Sequence, residues 1–578
     1  MLNFIDFEVF KEDWMCRIIN PITTETTQVI NDPDFLRKFY ESHKDEIFVG
    51  YNVRGYDQFI FKAIILGLSP QKVNEWIIVK KRKGWEYSSA FRNVPLNIYD
   101  VMFGLNSLKK LEGFMGNDIR ETTVDFNIDR KLTDDEIKEV MEYCTHDVEQ
   151  LIEVFIKRKA EFDAQMSLVK TFNLPLSCIG KTQAQLAAII LNAKKVNHND
   201  DWDIRLPDTL KLKKYQHIAD WFMNKENHTL DSSLKTNICG VPHIIGLGGL
   251  HGAVNNVDIK CGKDEMLIMS DVAQLYPTLM IEYGLLSRGV TDYDKFKFIL
   301  NESLRLKELK MKKEREPYKR ICNITYGSMG DEYNPMYDPL HRTLVCVFGQ
   351  VLIIMLLEWL EKRVSSFELI QSNTDGILFK IKEKDFGLVD DIIYHWEQQT
   401  RLKMEFDYYK RVIQKDVNNY IAITEDGGMK SKGAYVKKLS DLDYDLPIVN
   451  KAVTEYLVNG TPVEKTIYEC DELIKFQKIV KISDKYAYAM KNCTFTKKGQ
   501  WKYDGYKLNE STLRVYASSD PKDGGVFKMK ANPEKIADTS EKCFIHNESV
   551  VGKKCPAKLD KSFYVAMANE RINKFKGV

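Results

Sequence analysis

The chain has 578 residues, of which 84 are lysine or arginine and 83 are aspartate or glutamate, giving a net charge of +1. This balance neither requires nor excludes nucleic acid as a partner, because a polymer-binding cleft can be basic while the rest of the surface is acidic. The 11 cysteines contain no C-x-x-C pair, which argues against a disulfide framework or a zinc site and favours reduced thiols in the cytoplasm.

The length predicts two to four domains, and 44% hydrophobic residues are enough for several cores. The N-terminus carries an acid at Asp6 and no basic region, so we expect no signal peptide. The most apolar stretch, from Val345 to Leu357, is too short to cross a bilayer and predicts a buried core helix. We therefore expect a cytoplasmic protein with no membrane partner.

Acidic residues occupy two distinct settings in the first sixty residues. Residues 2–8 alternate as a strand, so Asp6 and Glu8 point to the same face. Two like charges side by side are costly unless a cation or protons lie between them. Asp57 comes after the apolar triplet at 47–49 and opens a predicted helix. Each residue alone also fits a simpler reading, either a solvated surface strand or a helix N-cap.

A fourth acid lies on a long helix that is predicted to begin at about Thr133. Thr133 and Glu136 form a capping-box pattern at its start. Tyr143 and Asp147 are four residues apart and therefore share a helix face. An ordinary amphipathic face is the alternative interpretation.

In this order the patterns D-x-E, N-x3-Y-D and Y-x3-D resemble the motifs of the DEDD 3′–5′ exonucleases, in the branch that carries a tyrosine. The resemblance implies that two divalent cations are held by four carboxylates: Asp6, Glu8, Asp57 and Asp147. Hard oxygen ligands suit Mg²⁺ or Mn²⁺, and a two-metal site can activate water and stabilise the leaving 3′-oxygen.

The same resemblance implies roles for the neighbouring residues. Tyr143 would orient the attacking water, and Asn52 and Tyr56 would contact the frayed single-stranded 3′ end. The segment 99–111 is also similar to the part of such domains that lies between these motifs.

The middle of the chain carries fewer signals. Helices are predicted at 183–193 and 211–224, on either side of a polar break at 197–201. Four glycines within 245–252 indicate either a close backbone approach or turns and bulges.

The second half of the chain places a carboxylate at the end of a strand. The apolar run 266–269 predicts a buried strand, after which Asp271 can face a cleft. Pro277 limits its own position to a turn or the first position of a helix. A strand-to-helix turn with an N-cap aspartate is the alternative interpretation.

Two further stretches of the second half carry candidate functional residues. The strongly basic run 304–315 predicts a helix, for which a solvated face is the usual explanation. It leads into a segment where Lys319 and Asn323 share a helix face. Residues 367–379 predict a hairpin of two apolar strands around a polar turn that carries Asp375. A tight turn that favours Asn, Asp and Gly is the simpler explanation of that sequence.

These stretches resemble motifs A, B and C of family B DNA polymerases of the phage type. The family usually has serine at the positions of Gln274, Ile324 and Gly376, and aspartate at the position of Asn373. The resemblance implies that Asp271 and Asp375 hold two Mg²⁺ ions, with Mn²⁺ as an alternative. It also implies that Lys319 neutralises charge on the pyrophosphate side.

The resemblance further implies a set of substrate contacts. Tyr276 would be the steric gate against a ribose 2′-OH. The other residues implied to contact the incoming nucleotide, the nascent base pair, the primer terminus or the duplex are Asn323, Tyr326, Gly327, Lys307, Arg315, Tyr420 and Lys432. The lysines among aromatics at 497–503 fit a thumb that grips the duplex backbone, or any solvated surface.

We therefore expect an α/β and α+β multidomain protein, with an RNase H-like exonuclease domain followed by a palm–fingers–thumb polymerase domain. The expected bounds are exonuclease 1–170, connector 171–240, palm 241–290, fingers 291–330, palm 331–425, and thumb with the C-terminal duplex-binding region 426–578.

The expected function is template-directed addition of dNTPs to a primer 3′-OH, with 3′–5′ proofreading. The expected partners are primer-template DNA, dNTPs and other replisome proteins. One alternative is an exonuclease whose polymerase-like half only holds DNA. Another is a non-catalytic replication scaffold. A reverse transcriptase is disfavoured because no Y-x-D-D sequence occurs at the hairpin.

Overall fold

The computed structural model describes residues 1–229, 231–483, 485–495, 501–502, 505–530 and 533–578. Over these residues the chain is a mixed α/β protein with several sheets, and its backbone contacts divide it into two compact units. Unit 1 comprises Met1–Gly180 and Leu439–Ala568, and unit 2 comprises Lys181–Lys438 and Asn569–Val578.

The region expected as thumb from residue 426 onward is shared between the two units. The predicted functional domains and their bounds stay predictions. The lysine-rich segment 497–503 lies outside the described residues, except for positions 501 and 502.

The N-terminal part of unit 1 alternates strands and helices. Its elements are β1 (Leu2–Val9), β2 (Trp14–Asn20), β3 (Glu25–Ile30), α1 (Pro33–His43), β4 (Ile47–Gly50), α2 (Asp57–Ile65), α3 (Pro70–Asn74), β5 (Asn97–Asp100), α4 (Leu108–Met115), α5 (Asp134–Lys157) and α6 (Lys159–Thr171).

The five strands form one sheet in the order β3–β2–β1–β4–β5, in which β1, β4 and β5 run parallel and β2 and β3 run antiparallel to their neighbours. Both faces of β1 are covered. Phe4 packs edge-on against Phe155 of α5, and Phe7 packs against Phe61 of α2. A strand covered on both faces cannot solvate its acids, so the surface-strand reading of residues 2–8 is wrong.

Unit 2 contains a second, larger sheet and a long apolar helix. Its elements are α7 (Gln183–Ile190), α8 (Gln216–Met223), β6 (Ser233–Ile238), β7 (Val241–Gly246), β8 (Gly249–Ala253), β9 (Val257–Lys260), β10 (Glu265–Val272), α9 (Leu275–Glu282), α10 (Tyr293–Glu308), α11 (Lys312–Ser328), α12 (Pro339–Arg363), β11 (Glu368–Ser372), β12 (Gly376–Lys382), α13 (Phe386–Thr400), β13 (Met404–Asp416), β14 (Asn419–Thr424) and β15 (Met429–Lys432).

The sheet of unit 2 runs in the order β15–β14–β13–β10–β12–β11–β8–β7–β6, with β9 added on β13. The helix α12 confirms the core helix predicted over 345–357. By length and composition alone it could cross a membrane, but 89% of its most apolar window is buried inside the protein. This burial is typical of the core helix of a globular protein.

The basic run 304–315 is not one helix, and that expectation is wrong. The chain ends α10 at Glu308, takes a left-handed conformation at Lys310, and begins α11 at Lys312. The Met311 N–H donates to the Leu306 carbonyl at 3.0 Å and closes the turn. The break lets α10 and α11 pack side by side, so that each buries its apolar face against a neighbour.

Pro277 lies at the third position of α9 rather than the first. The two middle helices are shorter than predicted, and α8 begins only at Gln216. The hairpin predicted over 367–379 is confirmed as β11 and β12.

The C-terminal elements are α14 (Pro447–Asn459), α15 (Val463–Tyr468), β16 (Lys478–Lys481), β17 (Tyr488–Phe495), β18 (Trp501–Lys502), β19 (Tyr506–Leu508), β20 (Thr512–Ala517), β21 (Gly525–Met529), β22 (Glu534–Lys535), β23 (Cys543–Ile545) and α16 (Lys561–Lys576).

Much of this segment returns to pack on α4. Arg514 of β20 is 0% exposed and donates to the carbonyls of Asn117 at 2.6 Å and Gly113 at 3.3 Å. A Cβ added at Gly113 would meet the Ile479 side chain at 2.9 Å, so glycine permits the close approach of β16. The C-terminal segment therefore fixes the position of α4.

Candidate functional site

Unit 1 brings three of the four predicted exonuclease carboxylates into one cluster. Oxygen atoms of Asp6, Glu8 and Asp147 lie within 4.8 Å of one another, although β1 and α5 are more than a hundred residues apart in the chain. Asp57 borders this cluster from the start of α2, and its Oδ1 accepts the Phe7 N–H at 3.3 Å. Asp57 is the first residue of the helix, so the N-cap alternative is wrong.

Burial raises the pKa of every carboxyl in this cluster, and repulsion from neighbouring acids adds to it. Burial raises the pKa of Asp57 to about 7 and that of Asp147 to about 6. For Asp6 and Glu8 burial is again the largest cause, and the charges of neighbouring acids add to it, so their pKa values lie well above the usual range. A cation among these acids would offset their mutual repulsion, and its binding would release the protons that the raised pKa values retain.

The predicted tyrosines lie beside the same carboxylates. Burial, followed by the charges of Asp147, Glu8 and Asp6, raises the pKa of Tyr143 far above its usual value, so its hydroxyl stays protonated. The Tyr56 hydroxyl donates to the Asn74 Oδ1 at 2.8 Å, which fixes the ring beside Asp57.

Asn52 is exposed and has a left-handed backbone with φ of 60°. Asp100 holds this loop, because its carboxylate accepts the Asn52 N–H at 2.9 Å and the Arg54 N–H at 3.0 Å. A Cβ at Gly55 would meet the Asn52 amide oxygen at 2.6 Å, so glycine there lets the loop fold over that amide.

Sequence reasoning missed three residues at this site. Lys109 of α4 forms ion pairs with Glu112, at 3.2 Å, and with Asp147, and its ammonium lies 4.6 Å from the centre of the Tyr143 ring. Glu112 and His146 lie beside Asp147. The available signal was the i, i+3 spacing of Lys109 and Glu112 on one helix face, but nothing local indicated that this face meets Asp147.

Unit 2 brings the two predicted polymerase carboxylates near each other, Asp271 within β10 and Asp375 in the turn immediately before β12. Asp271 on β10 lies opposite Gly376 on β12, and the Val272 N–H donates to the Asp375 carbonyl at 2.7 Å. Burial, and then the charge of Asp375, raises the pKa of Asp271 to about 6. The side chain of Asp375 is exposed. Asp271 precedes α9 by four residues, so its reading as an N-cap is wrong.

Gly376 makes room for the Asp271 carboxylate. A Cβ built at position 376 would overlap the Asp271 Oδ1 atom. The serine usual at this point of the family motif could not stand here without moving that carboxylate. The departure from the motif at Gly376 therefore has a steric reason in this chain.

A cavity of about 530 Å³ opens beside these two strands. It is lined by side chains from all three predicted motifs and from β8 and β15. These include His251, Gln274, Tyr276, Asn323, Tyr326, Asn373, Thr374, Asp375 and Lys432.

Two tyrosines form one wall of the cavity. The rings of Tyr276 and Tyr326 have centroids 4.2 Å apart with planes inclined by 39°. The buried Cys346 thiol of α12 lies 2.8 Å from the Tyr326 hydroxyl and 3.8 Å from the Tyr276 hydroxyl. The thiol thus contacts the hydroxyl groups of both tyrosines. Sequence reasoning did not identify Cys346 as part of this site.

Asn373 shapes the hairpin turn. Its Oδ1 accepts the Gly376 N–H at 2.8 Å, while its own N–H donates to the Gly376 carbonyl at 2.9 Å. An amide oxygen performs this turn function as well as a carboxylate does. Asp375 is the acid that lines the cavity, and Asp271 is paired through β10 with the neighbouring strand β13.

That strand adds two acids that the sequence analysis missed. Glu405 lies directly opposite Asp271, and Asp407 lies two residues further along the same face. Glu405 is paired with Lys307 and Asp407 with Lys430, at 2.7 Å in the second case. Lys307, which was predicted to contact phosphate, is therefore engaged with an acid next to Asp271.

Besides Lys307 and Tyr420, three predicted substrate residues do not line the cavity. Lys319 is exposed one helical turn before Asn323. The Arg315 guanidinium donates to the Ser303 carbonyl at 3.1 Å. Gly327 is exposed, and a Cβ there would meet nothing within 4 Å among the described residues.

The remaining two predicted residues lie at the open end of the sheet. Tyr420 of β14 pairs in register with Lys432 of β15, and Lys432 lines the cavity. The charges of Asp271 and Asp375 both act on the Tyr420 hydroxyl, after burial, to raise its pKa. Tyr420 and Lys432 are thus close to the two carboxylates.

The comparisons with known proteins add little to this geometry. No family model matches the chain, and no curated protein matches it. A solved structure that it resembles is the family B DNA polymerase from the hyperthermophilic archaeon Pyrobaculum calidifontis. The match has 14% identity and a TM-score of 0.45, and it covers 100% of this chain and 78% of that chain. At this TM-score the likeness does not decide the function of the chain.

Proposed function

We propose that the chain is a template-directed DNA polymerase of the family B type that adds dNTPs to a primer 3′-OH, with a 3′–5′ proofreading exonuclease in unit 1. One observation carries the polymerase proposal. Residues of the three predicted motifs, from Gln274 to Asp375, line a single cavity together with Lys432.

The residues present fit divalent cations at the polymerase site. Asp271 is half-buried with a raised pKa and Asp375 is its neighbour, while Glu405 and Asp407 on the same sheet are each paired with a lysine. Carboxylate oxygens are the ligands that Mg²⁺ and Mn²⁺ prefer. When bound, two such ions would lower the pKa of the primer 3′-OH and stabilise the transferred phosphoryl group.

The chain's own side chains would position the substrates. The Tyr276 ring, held against Tyr326, forms a wall where a ribose 2′-OH would clash. Asn323 faces the cavity from α11 and can hydrogen-bond an incoming nucleotide. Lys432 supplies positive charge at the opening, where a phosphate backbone would enter. Lys307 would exchange Glu405 for a phosphate when a nucleotide binds. Lys319 and Arg315 remain proposed phosphate contacts, and Gly327 a proposed contact of the nascent base pair.

The exonuclease proposal rests on the buried acids of unit 1. Lys109 can offset only one of their charges, so Asp6, Glu8, Asp57 and Asp147 fit two divalent cations. The strand order of the sheet, with β2 antiparallel to β1, supports an RNase H-like domain. The protonated Tyr143 can donate a hydrogen bond to an attacking water, and the exposed Asn52 and the half-buried Tyr56 can contact a single-stranded 3′ end.

A second candidate function is an exonuclease whose polymerase-like half only holds DNA. The amide at Asn373 favours it, since the family motif has a carboxylate there. The phage type, the cytoplasmic location, the domain bounds and the partners other than DNA and dNTPs are proposals that rest on the sequence resemblance alone.

The experiment compares three variants on a labelled primer-template with Mg²⁺. Asp375→Ala should abolish extension and leave 3′-end shortening intact, whereas Asp6→Ala should do the reverse. Asp390→Asn, which removes an exposed acid of α13, is the matched control and should change neither. Extension by Asp6→Ala with a dideoxynucleotide separates the two candidate functions, because only an active polymerase adds the terminator. Loss of both activities in either folded variant contradicts the division into two sites.

A further inference from the structure

We infer that Glu112, His146 and Asp147 form an additional divalent-cation site that adjoins the carboxylates of Asp6 and Glu8 and prefers a transition-metal ion. Glu112 lies outside the predicted exonuclease motifs, and His146 occupies an unspecified position of the Y-x3-D motif. Metal binding alone tests this site, so its test is independent of the proposed polymerase and exonuclease activities.

The site is built from two helices of unit 1. Glu112 lies on α4, and His146 and Asp147 lie on α5. One ligand atom from each of the three side chains lies within 4.8 Å of the others. Asp147 belongs both to this group and to the group with Asp6 and Glu8, so the two groups share one carboxylate.

Two buried polar atoms point to a missing ligand. The Glu112 side chain is 0% exposed, and its Oε2 atom has no hydrogen-bond partner within the described part of the chain. The Nε2 atom of His146 is also buried and also has no hydrogen-bond partner among the described residues. These two atoms are 3.7 Å apart, which is too far for a hydrogen bond. A buried acceptor that lacks its partner costs about 1–3 kcal/mol, and a cation between the two atoms would satisfy both.

Lys109 does not fill this position. Its ammonium donates to the Oε1 atom of Glu112 and to Oδ1 of Asp147, which leaves the second oxygen of Glu112 turned toward His146. Lys109 therefore stands on one side of the Glu112 carboxylate and orients it. The proposed ion lies on the other side.

The ligand chemistry selects the kind of ion. Magnesium prefers oxygen ligands, whereas an imidazole nitrogen together with carboxylates suits Mn²⁺, Co²⁺ or Zn²⁺. Two carboxylates and one imidazole leave coordination positions free for water or a phosphate oxygen.

The site borders a cavity and is held in place. His146 lines this cavity of about 580 Å³ together with Arg17, Arg120 and Thr145, whereas Glu112 and Asp147 are not among its lining residues. On the other side, the Gln477 side chain donates to the Phe114 carbonyl at 3.1 Å and Arg514 donates to the Gly113 carbonyl. These bonds fix α4, so Glu112 is presented without rearrangement of the backbone.

The test is titration of the full metal-free chain with Co²⁺ in the presence of excess Mg²⁺, followed by visible absorption and by equilibrium dialysis. Excess Mg²⁺ occupies the all-oxygen sites, so the remaining Co²⁺ binding reports the site with the nitrogen ligand. We expect His146→Gln and Glu112→Gln each to weaken this binding by about 10-fold or more. His217→Gln, an exposed histidine of unit 2, is the matched control and should bind as the wild type does.

The variant Asp57→Asn distinguishes Co²⁺ binding at the new site from metal binding at the predicted exonuclease site. It removes an acid that is not among the proposed ligands, so Mg²⁺-resistant Co²⁺ binding should persist. Protection of His146 from diethyl pyrocarbonate by Co²⁺ is the second measurement, which does not require a Glu112 variant to fold. Unchanged Co²⁺ stoichiometry in His146→Gln, or no protection of His146, would overturn the proposal. Either result would show that Glu112 and His146 form only an ion pair.

Discussion

Replacing Asp57 by asparagine should stabilise the metal-free protein at neutral and higher pH. Asparagine has the same shape and keeps an oxygen that can accept the Phe7 N–H, which donates to Asp57 at 3.3 Å. The substitution removes a buried negative charge beside Asp6 and Glu8, whose pKa values Asp57 helps to raise.

The magnitude comes from the pKa of Asp57, which burial raises from 3.8 to about 7. Each unit corresponds to about 1.4 kcal/mol, so ionisation of Asp57 destabilises the folded metal-free state by at most about 4 kcal/mol. The sign comes from proton linkage. A folded-state pKa above the unfolded value means that the folded state binds the proton more tightly, so stability falls as the pH rises between the two values.

Asp57→Asn should therefore match the wild type near pH 4 and exceed it by up to about 4 kcal/mol near pH 8, both in the presence of a chelator. Added Mg²⁺ should narrow this difference, because only the wild type retains the full set of ligands. An ion at 100 times its Kd adds about 2.7 kcal/mol to the wild type.

The assay is hydrogen exchange of the full chain, read on peptides of β1 and α5, at several pH values with and without Mg²⁺. This readout isolates unit 1 from the rest of a protein that has two compact units. Asp163→Asn, an exposed acid of α6, is the control and should behave as the wild type does. A metal-free Asp57→Asn that is less protected than the wild type near pH 8 would refute the reasoning.

Three further predictions concern other parts of the molecule. Gly376→Ala should lower primer extension by about 100-fold with little loss of stability, since the new Cβ overlaps chiefly the end of the Asp271 side chain and meets the Ser270 carbonyl only at 3.0 Å. Steady-state extension kinetics and denaturation test this, and normal extension would contradict it. Tyr276→Ala should raise the ratio of ribonucleotide to deoxyribonucleotide incorporation by about 10- to 100-fold, measured by single-nucleotide addition, and an unchanged ratio would exclude its role as a gate. Arg514→Met should destabilise unit 1 by about 3 kcal/mol or more because it leaves several buried carbonyls unpaired, and urea unfolding that matches the wild type would contradict this.

The sequence predicted those features whose signal is local. The capping box at Thr133 and Glu136 is confirmed, because both of its hydrogen bonds join residues three positions apart. The strand that ends near Asp271 and the hairpin that carries Asp375 are also confirmed, since apolar runs and turn residues define them.

Features that depend on distant contacts escaped prediction. Glu405 becomes a neighbour of Asp271 only through the register of β10 and β13. Lys109 and Glu112 meet Asp147 only because α4 packs beside α5, and the C-terminal segment fixes α4 through Arg514. No pattern within a window of a few residues contains this information.

The break at Lys310 shows a different reason for error. Residues 304–315 contain good helix formers throughout, so local propensity predicts one continuous helix. Burial of the apolar faces of α10 and α11 against each other decides otherwise, and a lysine adopts a left-handed conformation to allow it. Tertiary packing overrides propensity at this position.

The central claim is that one chain carries two separate catalytic sites, and one measurement tests it most directly. A primed single-stranded template is incubated with the protein and Mg²⁺, with and without dNTPs, and the primer length is monitored. We predict extension when dNTPs are present and shortening from the 3′ end when they are absent. Shortening under both conditions would contradict the proposed polymerase activity. The protein would then be an exonuclease in which unit 2 only holds DNA.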